Sequence, residues 1–115
     1  MYYLLTKKLA VTSGAGNEKY TQPVEMTDAN SGQVDFTVYE SSASDAITTI
    51  QVQESNDLQN WTNVTDFSGT VTNEGYKSFY GASGPIKVAA RYIRLKASVD
   101  NGTAIVSSGV HLVKA

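Results

Sequence analysis

The sequence predicts an all-β protein, a single antiparallel β-sandwich of about eight strands with jelly-roll or Greek-key connections, over residues 1–115. Tyr, Val, Ile and Thr are abundant, and these residue types suit the pleated, half-buried surface of a sheet. Clusters of Gly, Asn, Asp and Ser recur at short intervals, which is typical of sandwiches and barrels. Capped apolar segments with helical periodicity are missing. The length of 115 residues is that of one domain.

Eight segments between these turns are predicted to be strands. They are residues 2–12, 20–26, 33–40, 47–54, 61–67, 76–80, 86–98 and 103–113, with a short segment 70–72 before the sixth. Successive side chains of a strand point to opposite faces, so the third segment places Val34, Phe36 and Val38 on one face. The fourth segment likewise places Ile50 and Val52 on one face.

The last two strands are predicted to form a hairpin. In the seventh segment, Ile93, Leu95 and Ala97 share the inward face. The turn at 100–102, Asp-Asn-Gly, separates it from the alternating final segment. Asn-Gly tolerates the positive φ angles of a type I′ turn, which favours direct antiparallel pairing.

The only tryptophan, Trp61, has two interpretations. As a core anchor it inserts between the sheets, where burial of so large a side chain contributes on the order of 2–3 kcal/mol. As a binding residue it forms a stacking platform for a sugar ring, with help from Tyr76 or Tyr80, because aromatic side chains suit exposed sheet surfaces equally well.

The sequence offers little for catalysis or metal binding. His111 is the only histidine and has no evident partner for acid–base chemistry. Cysteines are absent, so disulfides and thiolate metal sites are excluded. Residues 28–32 open with the Asp-x-Asn spacing of a calcium loop, but Tyr39 stands where such a loop needs its glutamate, which favours a polar turn. We therefore expect a protein that is not an enzyme and has no cofactor and no metal.

Charge is distributed unevenly around a net charge of −2. Residues 1–75 carry −7 and residues 76–115 carry +5. Strands of the two halves either interleave and mix these charges, or form acidic and basic faces that meet between neighbouring copies. Six basic residues without interleaved exposed aromatics predict no nucleic-acid partner. No membrane span is expected, and residues 1–14 do not read as a signal peptide, since their lysines follow the apolar run.

Several stretches resemble the small β-sandwich structural proteins of tailed-phage virions. The likeness lies in Gln53-Glu54-Ser55-Asn56-Asp57, in Trp61-Thr62, in Arg91-Tyr92-Ile93-Arg94 and in the opening segment 9–26. This resemblance implies a capsid decoration, or cement, protein on the outer surface of the virion capsid. Its implied partners are the major capsid protein and copies of itself.

A second resemblance is to discoidin-type domains, which share a Ser-Asn-Asp…Trp hairpin and an Arg-Tyr-Ile-Arg-Leu strand. Here these motifs are residues 55–61 and 91–95, and they lie in two regions, 47–64 and 90–99, that cover about a quarter of the chain. In that family the shared residues are mainly scaffold, so the likeness implies the jelly-roll architecture. It also leaves an alternative function open, a carbohydrate-binding module or adhesin-like domain that binds a glycan through Trp61.

Two groups of residues are candidates for contacts with a partner protein. They are Tyr2, Tyr3, Leu4 and Leu5 in one group, and Tyr92, Arg94 and Lys96 in the other. The first group is apolar and terminal, so it forms either an arm that docks on a neighbour or simply the first strand of the sandwich. The second group is the outward face of the seventh segment, either a charged contact surface or an ordinary solvated face.

Overall fold

The structure is a computed structural model that describes residues 2–80, 88 and 90–114. In these residues nine strands form two antiparallel sheets and no helix is present. The strands are β1 Tyr2–Thr12, β2 Lys19–Tyr20, β3 Val24–Glu25, β4 Ser31–Ser41, β5 Ile47–Ser55, β6 Thr62–Thr72, β7 Gly75–Phe79, β8 Tyr92–Val99 and β9 Thr103–Val113. One sheet has the order β1-β9-β4-β7, and the other has the order β2-β8-β5-β6 with β3 also pairing with β8. The predicted antiparallel β-sandwich is confirmed.

The core lies between the inner faces of the two sheets, and the apolar residues that alternation predicted to point inward fill it. Val34, Phe36 and Val38 are buried as predicted, and so are the inward residues of β5 and β8. Phe79 makes edge-to-face contacts with Phe36 and Phe67, at centroid distances of 6.2 and 5.9 Å. Aromatic pairs favour this geometry because the ring edge is positive and the ring face negative. The three rings therefore join the two sheets at one side of the core.

Three predicted strands have different boundaries in the structure. The predicted segment 86–98 corresponds to β8, which begins only at Tyr92; Val88, Ala90 and Arg91 are not in a strand, and residues 86, 87 and 89 lie outside the described residues. In place of the predicted strand 20–26 there are two strands of two residues each, Lys19–Tyr20 and Val24–Glu25, with Pro23 between them. Proline has no N–H to donate, so it interrupts the ladder. Conversely, β6 runs without a break through the residues that separated two predicted segments. The strand accommodates a register shift between the partners of Gln51 and Gln53 on β5. The side-chain amide of Gln51 donates there to the carbonyl oxygens of Val64 and Phe67, at 2.9 and 3.1 Å.

The predicted hairpin between the last two strands is wrong. β8 belongs to the five-stranded sheet, whereas β9 lies in the other sheet between β1 and β4. β8 already has β5 on one side and β2 and β3 on the other, so no edge is left for β9. A type I′ turn needs positive φ at both central residues, and only Gly102 has it, at 70°. Asp100 instead accepts a hydrogen bond from the Ile47 N–H at 2.7 Å, and Asn101 donates to Asp45.

The N-terminal segment is the first strand of the sandwich. β1 pairs along its length with β9, from Tyr2 opposite His111 to Thr12 opposite Thr103. It is an edge strand, and its register shifts between Leu4 and Leu9, next to two lysines. Bulges and lysines on an edge discourage pairing with a further strand.

The strands of the acidic and basic halves of the sequence interleave. β8, from the basic half, pairs with β2, β3 and β5 of the acidic half, and β9 pairs with β1 and β4. The interpretation in which the charges mix is therefore the correct one. The described residues also contain no helix with the length and hydrophobicity that crossing a bilayer requires.

Candidate functional site on the two outer sheet faces

The outer face of the five-stranded sheet is organised around Arg94. Its guanidinium carbon lies 4.0 Å from the centroid of the Tyr20 ring and 4.3 Å from that of the Trp61 ring. Its Nε donates to Gln53 Oε1 at 2.9 Å, and Gln53 Nε2 donates to Asn63 Oδ1 at the same distance. Partial burial lowers the pKa of Arg94, but a guanidinium stays charged at neutral pH. Two rings and an amide thus hold this cation in place.

The turn before β6 brings Trp61 to this position. Asp57 fixes the geometry of this turn. Its Oδ1 accepts hydrogen bonds from the backbone N–H groups of Asn60 and Gln59, at 2.8 and 2.9 Å. These hydrogen bonds, the one from Asn60 first, hold the pKa of Asp57 well below its usual value. Leu58 has a φ of 64°, and its carbonyl oxygen accepts from the Trp61 indole at 3.2 Å. The Ser-Asn-Asp…Trp motif is therefore a local scaffold.

Trp61 is not the predicted core anchor. It is partly exposed, precedes the first residue of β6 and lies outside the buried cluster that fills the core. The turn leaves the indole on the outer face, where Arg94 covers one side of the ring. The proposed sugar platform is not assembled either. Tyr76 lies on the other sheet, with its hydroxyl directed to Asp35, and Tyr80 directly follows the same strand.

The outer face of the four-stranded sheet is organised around Asp35 on β4. Tyr2 on β1 donates to Asp35 Oδ1 at 2.9 Å, and Tyr76 on β7 donates to Oδ2 at 3.5 Å. To reach Asp35, Tyr2 crosses β9 at Gly109, which pairs with Asp35 in register. A Cβ at Gly109 would collide with the Tyr2 hydroxyl, so glycine provides the space for this ring. Hydroxyl groups from both edges of the sheet thus converge on one carboxylate.

Together with three further polar residues, these side chains line an open pocket of about 260 Å³. The lining residues are Tyr2, Gln33, Asp35, Tyr76, Ser78 and His111. Gln33 Nε2 donates to Ser78 Oγ, which fixes one wall. Partial burial, and then the hydrogen bond to Asp35, raise the pKa of Tyr2 to about 12. Its hydroxyl therefore remains a donor throughout the neutral and mildly alkaline range.

A second, more apolar depression of about 290 Å³ lies on the same face. Leu4, Lys8 and Tyr39 line it, and the Tyr39 hydroxyl accepts from Ser107 at 3.1 Å. Exposed fractions are 48% for Tyr2, 51% for Leu4, 54% for Tyr39 and 65% for Tyr76. Four of the large apolar side chains that are exposed in the described part of the chain therefore share one sheet face. We call Tyr2, Leu4, Tyr39 and Tyr76 the aromatic face.

The structure divides the residues that the sequence singled out. Of the N-terminal group, Tyr2 and Leu4 lie on the aromatic face, whereas Tyr3 and Leu5 are half-buried and pack against the core. Tyr92, Arg94 and Lys96 do share the outer face of β8, each half-buried. The two groups therefore lie on different sheets and do not form one surface.

Sequence reasoning missed Asp35 and Tyr39 as site residues, and it named Tyr76 only as a helper of Trp61 in a sugar platform. Alternation along β4 places Asp35 and Tyr39 on the face opposite the buried residues, so their outward direction has a signal in the sequence. Their neighbourhood with Tyr2 and Tyr76 depends on which strands flank β4, and local sequence carries no signal for that. The described residues contain no group of three or more His, Asp or Glu side chains arranged to hold a metal ion.

No protein-family model and no curated protein sequence matches this chain. Among solved structures, the PBSX exported protein XepA is similar over 100% of this chain, with a TM-score of 0.67 and 14% identity, and this chain spans 37% of XepA. PirA is similar over 92% of this chain and 91% of its own, with a TM-score of 0.55 and 13% identity. The SPBc2 prophage-derived protein YomS is similar over 96% of this chain and 90% of its own, with a TM-score of 0.50 and 13% identity. At such identities the likeness establishes the fold alone. The prophage-derived protein YomS has a similar fold.

Proposed function

We propose that this chain is a non-enzymatic structural protein of a phage particle, a capsid decoration protein that binds the outside of the major capsid lattice and stabilises it. The observation that carries the proposal is the aromatic face, where Tyr2, Leu4, Tyr39 and Tyr76 are all about half or more exposed. Tyrosine is enriched in the centres of protein interfaces because it buries a large area and keeps a polar end. The fold shared with a prophage-derived protein supports the phage context.

Attachment through this face would be individually weak. The aromatic face is a small part of a chain whose total accessible surface is 6201 Å². Small interfaces of this kind are weak in isolation. A shell offers many equivalent sites, and copies that also touch each other gain affinity through their effective concentration. This arrangement suits a protein that adds stability to a lattice without altering its chemistry.

We further infer that the sandwich is a jelly roll. With β2 and β3 counted as one strand that Pro23 interrupts, the described residues form eight strands in two sheets of four. The first strand then neighbours the last, and the second neighbours the last but one. Two Greek keys wound together give this order. The jelly roll is an architecture used in viral capsid proteins, which agrees with the proposed setting.

The test mixes purified protein with phage shells that lack it and measures co-sedimentation and the temperature at which the shells open. Leu4→Ser on the aromatic face should weaken shell binding several-fold. Ile47→Ser is the matched control, because Ile47 is a comparably exposed aliphatic residue on the other sheet. Binding that is lost equally in both variants, or no binding of the wild-type protein to any shell, contradicts the proposal.

A further inference from the structure

We propose that the pocket around Asp35 binds a guanidinium group, the side chain of an arginine on the surface of the partner protein. The pocket combines one carboxylate with two exposed tyrosine rings, on the face that the proposed function assigns to contact. That the arginine belongs to a capsid protein rests on the proposed function. The affinity of the pocket for a guanidinium group is independent of the proposed function.

The first argument is the hydrogen-bonding capacity of the carboxylate. Oδ1 accepts one hydrogen bond from Tyr2, and Oδ2 accepts one from Tyr76. Each carboxylate oxygen has two lone pairs, so each retains one for a further donor. An arginine presents two parallel N–H groups whose spacing matches the two oxygens of a carboxylate. The Tyr2 hydroxyl, at 2.9 Å, holds Asp35 in one orientation, with Tyr76 as a longer contact at 3.5 Å, and this reduces the entropy lost on binding.

The second argument is the aromatic surroundings. A cation near the face of a tyrosine ring is attracted to the negative charge of that face. Both rings are accessible, at 48% exposure for Tyr2 and 65% for Tyr76. A planar guanidinium stacks on such rings and is less strongly hydrated than an ammonium group, so it gives up its water more easily. The same chain already uses this chemistry on its other sheet, where Arg94 lies against two aromatic rings.

The third argument is charge. Asp35 is the only formally charged residue among those that line the pocket, with His111 counted as neutral. The other described lining residues are neutral polar side chains, so the formal charge of the lining is negative. A cation therefore complements it, whereas an anion or a second carboxylate would be repelled.

The test is a titration of the labelled full chain with ethylguanidinium chloride, followed by NMR of the tyrosine ring signals and of the backbone amides near Asp35. Ethylammonium chloride and glucose are the comparison probes, and ionic strength is held constant. We expect saturable shifts around Asp35, with ethylguanidinium binding several-fold more tightly than ethylammonium and glucose giving none. Equal affinity for the two cations, or tighter binding of glucose, overturns the assignment.

Variants locate the effect. Asp35→Asn should weaken ethylguanidinium binding by about tenfold, as expected for loss of a charge-assisted hydrogen bond. Asp28→Asn is the control, because it removes the same charge from an exposed turn; it should change the ethylguanidinium affinity by less than about twofold. Tyr76→Ser removes a largely exposed ring, so it tests the pocket even if the Asp35 variant folds poorly, and it should weaken binding several-fold. Unchanged affinity in Asp35→Asn or Tyr76→Ser refutes the proposal. If the protein binds shells but not ethylguanidinium, this inference is refuted and the proposed function stands. If it binds ethylguanidinium but no shell, the proposed function is refuted and the guanidinium site stands.

Discussion

Thr48 is the residue at which a single substitution should stabilise this protein. It lies on the inner face of β5, is fully buried, and faces neighbours at Val71 and Val99 in the adjoining strands. Its hydroxyl has no hydrogen-bond partner within the described part of the chain. A buried hydroxyl without a partner costs about 1–3 kcal/mol, because it has given up its hydrogen bonds to water.

Thr48→Val replaces that hydroxyl with a methyl group of similar size, so it leaves no cavity. We expect a gain of about 1–2 kcal/mol in the free energy of unfolding. For 115 residues the entropy of unfolding is about 0.24 kcal/mol per kelvin, so the gain corresponds to a rise in Tm of about 4–8 °C. Calorimetry gives the Tm, and urea unfolding gives the free energy, with an unchanged m-value as the sign that the two end states are the same.

Thr70→Val is the control, since Thr70 is exposed on the neighbouring strand β6. It should change the free energy of unfolding by less than about 0.5 kcal/mol. A Thr48→Val variant that is no more stable than the wild type would refute the reasoning, because it would mean that the hydroxyl carries no desolvation cost in this core.

Two further predictions concern the outer faces. Tyr2 has a pKa raised to about 12, whereas its pKa in the unfolded chain is about 10. Its contribution to stability is therefore complete below pH 10 and is lost as the pH rises towards 12. An absorbance titration should show this late step, and Asp35→Asn should move it back towards 10. Arg94→Met should lower stability by about 1–2 kcal/mol, through loss of two ring contacts and a charged hydrogen bond, and shift the emission of Trp61. Lys96→Met, on the same face of the same strand, should do neither, and equal effects in the two variants would contradict this account.

Part of the candidate site was accessible to sequence reasoning. Alternation identified which residues of β4 and β8 point outward, and it predicted that Arg94 and Lys96 share a face. It did not reveal that Arg94 is held by Tyr20 and Trp61. Those contacts depend on β2 pairing with β8, and on a turn whose geometry is set by Asp57. Contacts between distant segments have no signature in either segment taken alone.

Trp61 and the last turn illustrate the same limit. A lone tryptophan after a polar turn is compatible with either side of a sheet, because burial is decided by the residue at which the strand begins. Here β6 begins at Thr62, one residue after Trp61, so Trp61 belongs to the turn and not to the strand. Asn101-Gly102 has the composition of a tight hairpin, yet it carries the chain from one sheet to the other. Turn residues specify which backbone angles are permitted, whereas the pairing of a strand depends on which sheet edge remains free.

The sequence by itself determined the class of the fold, the positions of most strands and the apolar faces that form the core. It could do so because alternation is a local property, in which each strand must bury one face whichever strand lies beside it. Only the tertiary structure decided the strand order, the place of Tyr2 across Gly109, and the meeting of Tyr2 and Tyr76 at Asp35. Those contacts join segments 33 and 41 residues apart, and they arise from the packing of the whole chain.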